Sequence, residues 1–112
     1  MNNEKVYLNH ILERCIKIRR LMQGVSKNQF FADENLQDIV IRSLEIIGEA
    51  TTHVSAELKD KYDEVSWIDL KNFRNIMIHQ YFRIDLNLVY DVVQNDIPEL
   101  QSQIQTILEE EK

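Results

Sequence analysis

The sequence predicts an all-α fold, a single domain (residues 1–112) built as an up-and-down bundle of four to five helices. Two glycines and one proline in 112 residues are too few to supply the turns of a sheet-rich fold. The apolar residues recur at the 3.6-residue spacing of helices that bury one face. A chain of this length buries roughly two thirds of its unfolded surface, enough for a core without disulfides or a structural metal.

The first helix is predicted over residues 4–23, with a broad apolar stripe, and Gly24 is expected to end it. Residues 26–31 are interpreted as a short linker or turn, in which Phe30 and Phe31 close one end of the bundle.

The second long helix is predicted to begin after the capping residue Asp33 and to run to about Val54. Its apolar side consists of Leu36, Ile39, Val40, Leu44, Ile47 and Val54. A polar stripe follows at spacings of three, four and four: Arg42, Glu45, Glu49 and His53. Such a stripe is usually a solvated face, but Gly48 favours close approach of another helix, so Arg42, Glu45 and Glu49 are candidates for lining a cleft.

The rest of the chain continues the pattern. A polar connector with a short helical turn over 56–62 leads to a third long helix, which buries Trp67, Leu70, Phe73 and Met77. Asp85 caps the last helix after a break, and Pro98 predicts a kink or a restart in it. The acidic run before Lys112 is unfavourable at a helix C-terminus, so residues 109–112 are expected to fray.

The composition of the chain limits where the protein can act. No apolar run approaches the ~18 residues of a membrane span, no signal peptide precedes the first helix, and the single Cys15 is typical of a reducing compartment. We therefore expect a cytoplasmic protein with no membrane partner.

The net charge of −6 argues against a general nucleic-acid coat. Residues 1–32 nevertheless contain six Lys/Arg and only two acids. The cluster of Lys17, Arg19 and Arg20 lies near the C-terminus of the first helix, where the helix dipole stabilises cations, and is interpreted as a solvated helix end. The alternative is a surface that binds an RNA backbone.

The candidate active centre is the segment 73–82, which places Arg74, Asn75, His79 and Tyr81 in an otherwise apolar run. Asn75 and His79 share a helix face, whereas Arg74 and His79 project about 140° apart on an ideal helix. Either the long arginine stem bends round to the histidine, or a second copy of the chain supplies the other group, and the second alternative is the reason to expect a homodimer.

Arginine and histidine together are suited to metal-independent RNA cleavage, in which the 2′-hydroxyl attacks the adjacent phosphate. Histidine moves the protons near neutral pH, and arginine stabilises the charge on the phosphate in the transition state. The alternative is a surface arginine with an interface histidine. No glycine-rich phosphate loop and no Cys/His spacing for zinc occur, so neither a cofactor nor a metal site is predicted.

Three blocks of sequence resemble the HepT-like branch of the HEPN-domain proteins. They are the segments 41–50 (IRSLEIIGEA), 67–82, which contains an Arg-x4-His-x-Tyr motif, and 91–100 (DVVQNDIPEL). The resemblance spans about residues 36–108. One departure is Gln80, where many members have glycine, and it favours a longer helix at this point.

The resemblance implies an all-helical homodimer that acts as a ribonuclease toxin of a toxin–antitoxin pair, without a cofactor. It implies that Arg74 and His79 are catalytic, Asn75 is their polar companion, and Tyr81 is a site of AMP transfer by a partner nucleotidyltransferase, the antitoxin. Two other hypotheses remain open: a non-catalytic dimeric module that binds a nucleotide or a nucleotidyltransferase, and a helical assembly domain whose polar motif only seals an interface.

Overall fold

A computed structural model describes residues 4–79 and 85–112 of the chain and, for residues 74–79, the helical backbone alone. The described ranges contain seven α-helices and a π-helical segment, and no strand, which confirms the all-α prediction. The helices are α1 (Glu4–Met22), α2 (Lys27–Ala32), α3 (Glu34–Thr51), α4 (Ala56–Lys61), α5 (Trp67–His79), α6 (Leu86–Asp91) and α7 (Ile97–Glu110). The π-helical segment (Val92–Asp96) joins α6 to α7, and we call the run from α6 to α7 the C-terminal segment.

The long helices alternate in direction. The Glu4 carboxylate at the start of α1 accepts a hydrogen bond from the Ser55 amide beyond the end of α3. Near the end of α1, Arg19 Nη1 donates to Gln101 Oε1 at 3.0 Å. The Tyr62 hydroxyl, before the start of α5, donates to the Glu110 carboxylate at the end of α7 at 3.0 Å. These contacts make α1, α3, α5 and the C-terminal segment an up-and-down bundle, as predicted.

The bundle closes around one apolar core, in which α3 packs against both α1 and α5, and α1 packs against α7. The most buried side chains include Leu8, Ile11, Ile18, Phe30, Leu44, Ile47, Val89, Ile97, Ile104 and Ile107. The apolar stripes drawn from the sequence were too broad at four positions, which are 39% to 45% exposed: Val6, Ile16, Ile39 and Leu88. They lie at the margins of their stripes, beyond the face that neighbouring helices cover.

The linker predicted over 26–31 is wrong, because this stretch forms the short helix α2. The Ser26 hydroxyl accepts from the Gln29 amide at 3.1 Å, and the Gln29 side chain accepts from the Ser26 amide at 2.8 Å. This reciprocal capping box satisfies two amides at the start of the helix. Phe30 is fully buried, as expected for a residue that closes the bundle, whereas Phe31 is 38% exposed.

Local signals set most of the other helix ends. Gly24 adopts a φ of +75°, a left-handed conformation that favours glycine, directly after α1. The Asp33 carboxylate accepts from the Leu36 amide at 3.0 Å at the start of α3. Asp85 caps α6 in the same way, through the Asn87 amide at 2.9 Å. The helix α3 ends at Thr51, three residues before the predicted end.

The irregularity predicted at Pro98 is present as a π-helical segment followed by a new α-helix. The Ile97 amide bonds to the Val92 carbonyl, five residues back, and Pro98 then lies in the first turn of α7. A proline is tolerated there because first-turn amides need no partner within the helix.

The frayed end expected at residues 109–112 is not what the structure describes. The helix α7 extends to Glu110, and the hydroxyl of Tyr62 donates to the carboxylates of Glu110 at 3.0 Å and Glu111 at 2.7 Å. Lys61 Nζ lies 2.7 Å from the same Glu111 carboxylate. These long-range partners outweigh the unfavourable position of the acids at the helix end. Among the described helices, none is both long and apolar enough to cross a membrane.

Candidate active site

The motif predicted to be catalytic lies on α5, whose backbone is helical from Trp67 to His79. Arg74, Asn75 and His79 therefore occupy helical positions, and the angular argument from the sequence applies to them. Their side chains, and Gln80 and Tyr81 altogether, lie outside the described residues, as does the predicted break at residues 83–84. The roles assigned to these residues stay predictions.

The first half of α5 is fixed firmly to the bundle. Trp67, Leu70 and Phe73 are buried in the core, on the side predicted from the sequence. The indole nitrogen of Trp67 donates to the Tyr62 carbonyl at 3.0 Å, so its one polar atom is satisfied. The first half of the helix on which the motif lies is therefore anchored in the core.

The polar stripe of α3 lines a cleft between α1 and α3 with a volume of about 220 Å³. Arg42, Glu45, Glu49 and His53 all contribute to its walls. Arg42 Nη1 lies 3.5 Å from Glu45 Oε2, and the arginine side chain is 70% exposed whereas that of the glutamate is 24% exposed. An ion pair at this exposure and distance contributes little to stability, typically 0–1 kcal/mol by general experience. The two groups are therefore available to a ligand at small energetic cost.

Two residues that the sequence interpretation did not group with the stripe complete this cleft: Tyr7 and His10, on α1. The Tyr7 ring stacks on the His53 ring, with centroids 4.3 Å apart and planes 12° apart. The His10 ring meets Tyr7 edge-on at 5.8 Å. The only sequence signal was that residues 7 and 10 share one face of α1, which does not reveal a contact with His53.

The helix α3, which lines the cleft, also packs against α5, the helix that contains the motif. Guanidinium, imidazole and carboxylate groups therefore meet on one side of the bundle. This set can donate and accept protons and can hold a charged ligand.

An acidic groove borders the start of α5 on the side of the C-terminal segment. Asp69, Asp96 and Glu99 line it. Loss of hydration raises the pKa of Asp96, and the nearby charges of Glu99 and Asp69 raise it further. Such a groove repels a polyanion, so a nucleic acid would approach α5 from another side.

Other chemistries find no support in the described part of the chain. No group of three or more His, Cys, Asp or Glu residues there is arranged to hold a metal. Cys15 is fully buried in the core, and burial raises the pKa of its thiol to about 12, which Arg19 offsets only slightly. It packs as a small apolar residue and forms no thiolate at neutral pH.

The fold and the candidate site together define the class of this protein. It is a small all-helical bundle with an arginine–histidine motif on its third long helix and a polar, histidine-containing cleft beside its second. Within that class the chain belongs to the HepT-like ribonuclease family, whose model, described as ribonuclease HepT-like, matches residues 11–107. The matched range includes the predicted motif and the cleft-lining stripe. This confirms the family predicted from the three blocks of sequence.

Individual relatives extend the match to the whole chain. A Caldanaerobacter subterraneus protein named "Putative RNase" is 35% identical over 112 residues, the full length of both chains. A Thermococcus cleftensis protein named "Probable ribonuclease HepT" is 31% identical over 105 residues, 94% of this chain and 96% of the relative. A Methanocaldococcus jannaschii protein named "Gamma-glutamylcyclotransferase and putative RNase" is 42% identical over 106 residues, 95% of this chain. The match covers 48% of that relative, so the chain spans about half its length. No solved structure matches the chain.

Proposed function

We propose that this protein is a metal-independent endoribonuclease, the toxin of a toxin–antitoxin pair, with a composite active site at a homodimer interface. The observation that carries the proposal is the position of Arg74 and His79 on the continuous helix α5, inside the range matched by a ribonuclease family. The names of the relatives support RNA as the substrate class.

In the proposed reaction the 2′-hydroxyl of a ribose attacks the adjacent phosphate. The O2′–P bond forms as the P–O5′ bond breaks, which leaves a 2′,3′-cyclic phosphate and a free 5′-hydroxyl. His79 takes the proton of the 2′-hydroxyl while water protonates the leaving 5′-oxygen, or His79 protonates that oxygen while water takes the proton of the 2′-hydroxyl. Arg74 stabilises the additional negative charge on the phosphate in the transition state. Asn75, on the same helix face as His79, is proposed to orient the imidazole.

A single helix α5 does not direct both groups at one phosphate, since Arg74 and His79 project about 140° apart. A two-fold dimer resolves this, because Arg74 of one protomer then meets His79 of the other. The stripe formed by Arg42, Glu45 and Glu49 is proposed to form a wall of the same cleft, as it lines an open cavity next to the helix that packs on α5.

The partner nucleotidyltransferase is proposed to silence this site by transferring AMP from ATP to the hydroxyl of Tyr81. Tyr81 lies two residues after His79 in the sequence. A phosphate and a nucleoside there would add bulk and negative charge at the entrance of the cleft and would repel an RNA backbone.

The first test is cleavage of a labelled RNA in the presence of EDTA. We expect wild-type activity to persist and His79→Ala to lose at least about 100-fold, the usual contribution of a general acid–base group. Glu57→Ala is the control, because Glu57 is an exposed residue of α4 and lines none of the cavities described. Equal activity of wild type and His79→Ala would contradict the proposed catalytic role.

The composite site has a sharper test in mixed dimers. Arg74→Ala and His79→Ala homodimers should both be inactive. After exchange of subunits, each mixed dimer contains one intact site, so about a quarter of wild-type activity should return in an equal mixture. If the site lay within one protomer, mixing would restore nothing.

The modification is tested by incubating the protein with its partner nucleotidyltransferase and ATP. A mass increase in units of AMP is expected, with loss of cleavage. Tyr81→Phe should show neither change, whereas Tyr90→Phe, on α6, should be modified like wild type.

A second candidate function is a non-catalytic dimeric module that binds a nucleotide or the nucleotidyltransferase. The net charge of −6 and the acidic groove of Asp69, Asp96 and Glu99 favour it. Stoichiometric binding of nucleotide or partner, with no RNA cleavage by pure wild-type protein, would select this alternative.

A further inference from the structure

A second groove lies between the end of α1 and the middle of the C-terminal segment, and we call it the basic groove. Its volume is about 550 Å³, and its polar walls are formed by Arg19, Arg20, Gln23, Gln94 and Gln101. It lies away from the cleft of α1 and α3 and shares none of its residues. The predicted roles of Arg74, His79 and Tyr81 leave it without a function.

The charge of this groove differs from that of the other cavities described. Two arginines and no carboxylate line it. The cleft between α1 and α3 contains two glutamates, the cavity beside α2 contains Asp33 and Glu34, and the acidic groove contains three acids. In an acidic protein, this groove is therefore a place where a polyanion meets attraction rather than repulsion.

No carboxylate of the described residues neutralises the charge of these two arginines. Neither Arg19 nor Arg20 forms an ion pair with any residue that the structure describes. Arg19 is held in place by the neutral side chain of Gln101, through one bond from Nη1 at 3.0 Å. A guanidinium has five N–H donors, so four remain for phosphate oxygens, in an orientation that is already fixed.

The π-helical segment forms one wall of the groove through Val93 and Gln94. A π turn inside an α-helix is rare and is frequently found at functional sites. It places Gln94 beside the arginines, where the side-chain amide can both donate to and accept from a ribose 2′-hydroxyl. Gln23 offers the same groups from α1. Contacts of this kind distinguish RNA from DNA.

We propose that the basic groove binds the sugar–phosphate backbone of RNA, with Arg19 and Arg20 on phosphates and Gln94 at a ribose hydroxyl. This rests on the proposed function, because the RNA held here is the substrate whose cleavage is assigned to α5. The groove positions the substrate and takes no part in bond breaking, so it should determine affinity and leave the chemical step unchanged.

The test measures binding of a labelled single-stranded RNA by Arg19→Gln/Arg20→Gln, in a His79→Ala background that prevents cleavage. Loss of two phosphate contacts should weaken binding about tenfold near 0.15 M salt. The slope of log affinity against log salt should fall by about 1.4, the value for two contacts to a single strand. Arg19→Lys/Arg20→Lys, which keeps both charges, should restore most of the affinity and the slope.

The matched control is Lys5→Gln/Lys112→Gln, which removes the same two charges at exposed positions near the opposite end of the bundle. It should leave the salt slope unchanged. An unchanged slope in the arginine variant, or an equal change in the control, would overturn the proposal.

Cleavage by the same substitutions in the presence of His79 separates this proposal from the proposed function. A raised KM with an unchanged kcat supports the groove as a substrate site. Salt-dependent binding that needs Arg19 and Arg20, without cleavage by wild type, would keep the groove and reject the ribonuclease. Cleavage with wild-type KM in the arginine variant would reject the groove alone.

Discussion

The far end and the middle of the C-terminal segment contrast in how well their charged groups are stabilised by neighbouring groups. At its far end, Glu111 accepts hydrogen bonds from Lys61 and Tyr62, and these bonds lower the pKa of its carboxyl group. At the π-helical segment, partial burial raises the pKa of Asp96, and the nearby charges of Glu99 and Asp69 raise it further. One carboxylate is stabilised by its surroundings, and the other is disfavoured by them.

The contrast assigns a structural role to one part of the C-terminal segment and a functional role to another. At the far end, the long-range bonds of a structural tether offset one departure from the local rules of stability, the acids at the helix C-terminus. The π-helical segment departs from them in its backbone and in its charge, and departures of this kind cluster at functional sites. The same segment separates the basic groove, at Gln94, from the acidic groove, at Asp96. It thereby keeps attractive and repulsive surfaces for a polyanion apart.

Deletion of Asn95 is the change expected to break this contrast most strongly. Removing the extra residue of the π turn should restore a continuous α-helix and keep the apolar faces on either side aligned. Pro98 would then lie in the interior of that helix, where its ring clashes with the carbonyl four residues back. The free energy of unfolding should fall by about 3 kcal/mol, as measured by urea denaturation.

Combining the deletion of Asn95 with Pro98→Ala is the control, since it removes the clash and should recover most of the lost stability. That double variant should still bind RNA more weakly than wild type, because Gln94 no longer faces the groove. A deletion variant as stable as wild type would show that Pro98 does not require the π turn.

Tyr62→Phe tests the hydrogen-bonded far end of the C-terminal segment and should have an intermediate effect on stability. It removes the hydroxyl that bonds to Glu110 and Glu111, so the protein should be less stable at neutral pH. Because the folded-state pKa of Glu111 is lowered, its contribution is present above the ordinary carboxyl pKa and is lost as pH falls through the folded value. The difference between variant and wild type should therefore shrink in acid.

At alkaline pH, the change in stability is determined by the two hydrogen-bond donors, Lys61 and Tyr62. The bond to Glu111 raises the pKa of both Lys61 and Tyr62, so their contribution is complete below the ordinary values and is lost as pH rises through the raised ones. Tyr90→Phe is the matched control, because the Tyr90 hydroxyl has no hydrogen bond among the described residues. A stability difference for Tyr62→Phe that is constant from pH 3 to pH 7 would contradict the assignment of the tether to Glu111.

The sequence predicted what local signals encode. Gly24, Asp33 and Asp85 act within a few residues of themselves, so the corresponding helix ends were correct. The helix α2 was missed although Ser26 and Gln29 have the spacing of a capping box, a signal that was available.

Contacts between distant residues were not predictable in the same way. The stacking of Tyr7 on His53 and the bonds of Tyr62 to Glu111 depend on which helices become neighbours, and no spacing along the chain encodes that. The tether overrode the local expectation of a frayed acidic end. For the basic cluster of α1, the sequence left two interpretations open, and the groove that includes Gln94 and Gln101 favours the RNA-binding one.

Asp96→Asn should have the smallest effect and the opposite sign. A carboxyl whose folded-state pKa is raised weakens the folded state increasingly as pH rises above its ordinary value of about 3.9, and the full penalty is present above the folded value. The amide removes this penalty, so the variant should melt about 1–2 °C higher at pH 7, a small gain because the residue is largely exposed to solvent. The gain should vanish below pH 3.9, where Asp96 is protonated in both states.

Asp91→Asn removes the same charge from an exposed position one turn earlier and should melt like wild type. An Asp96→Asn variant that is less stable at pH 7 would mean that the carboxylate has a favourable partner in the folded protein, and the contrast between the far end and the middle of the segment would fail.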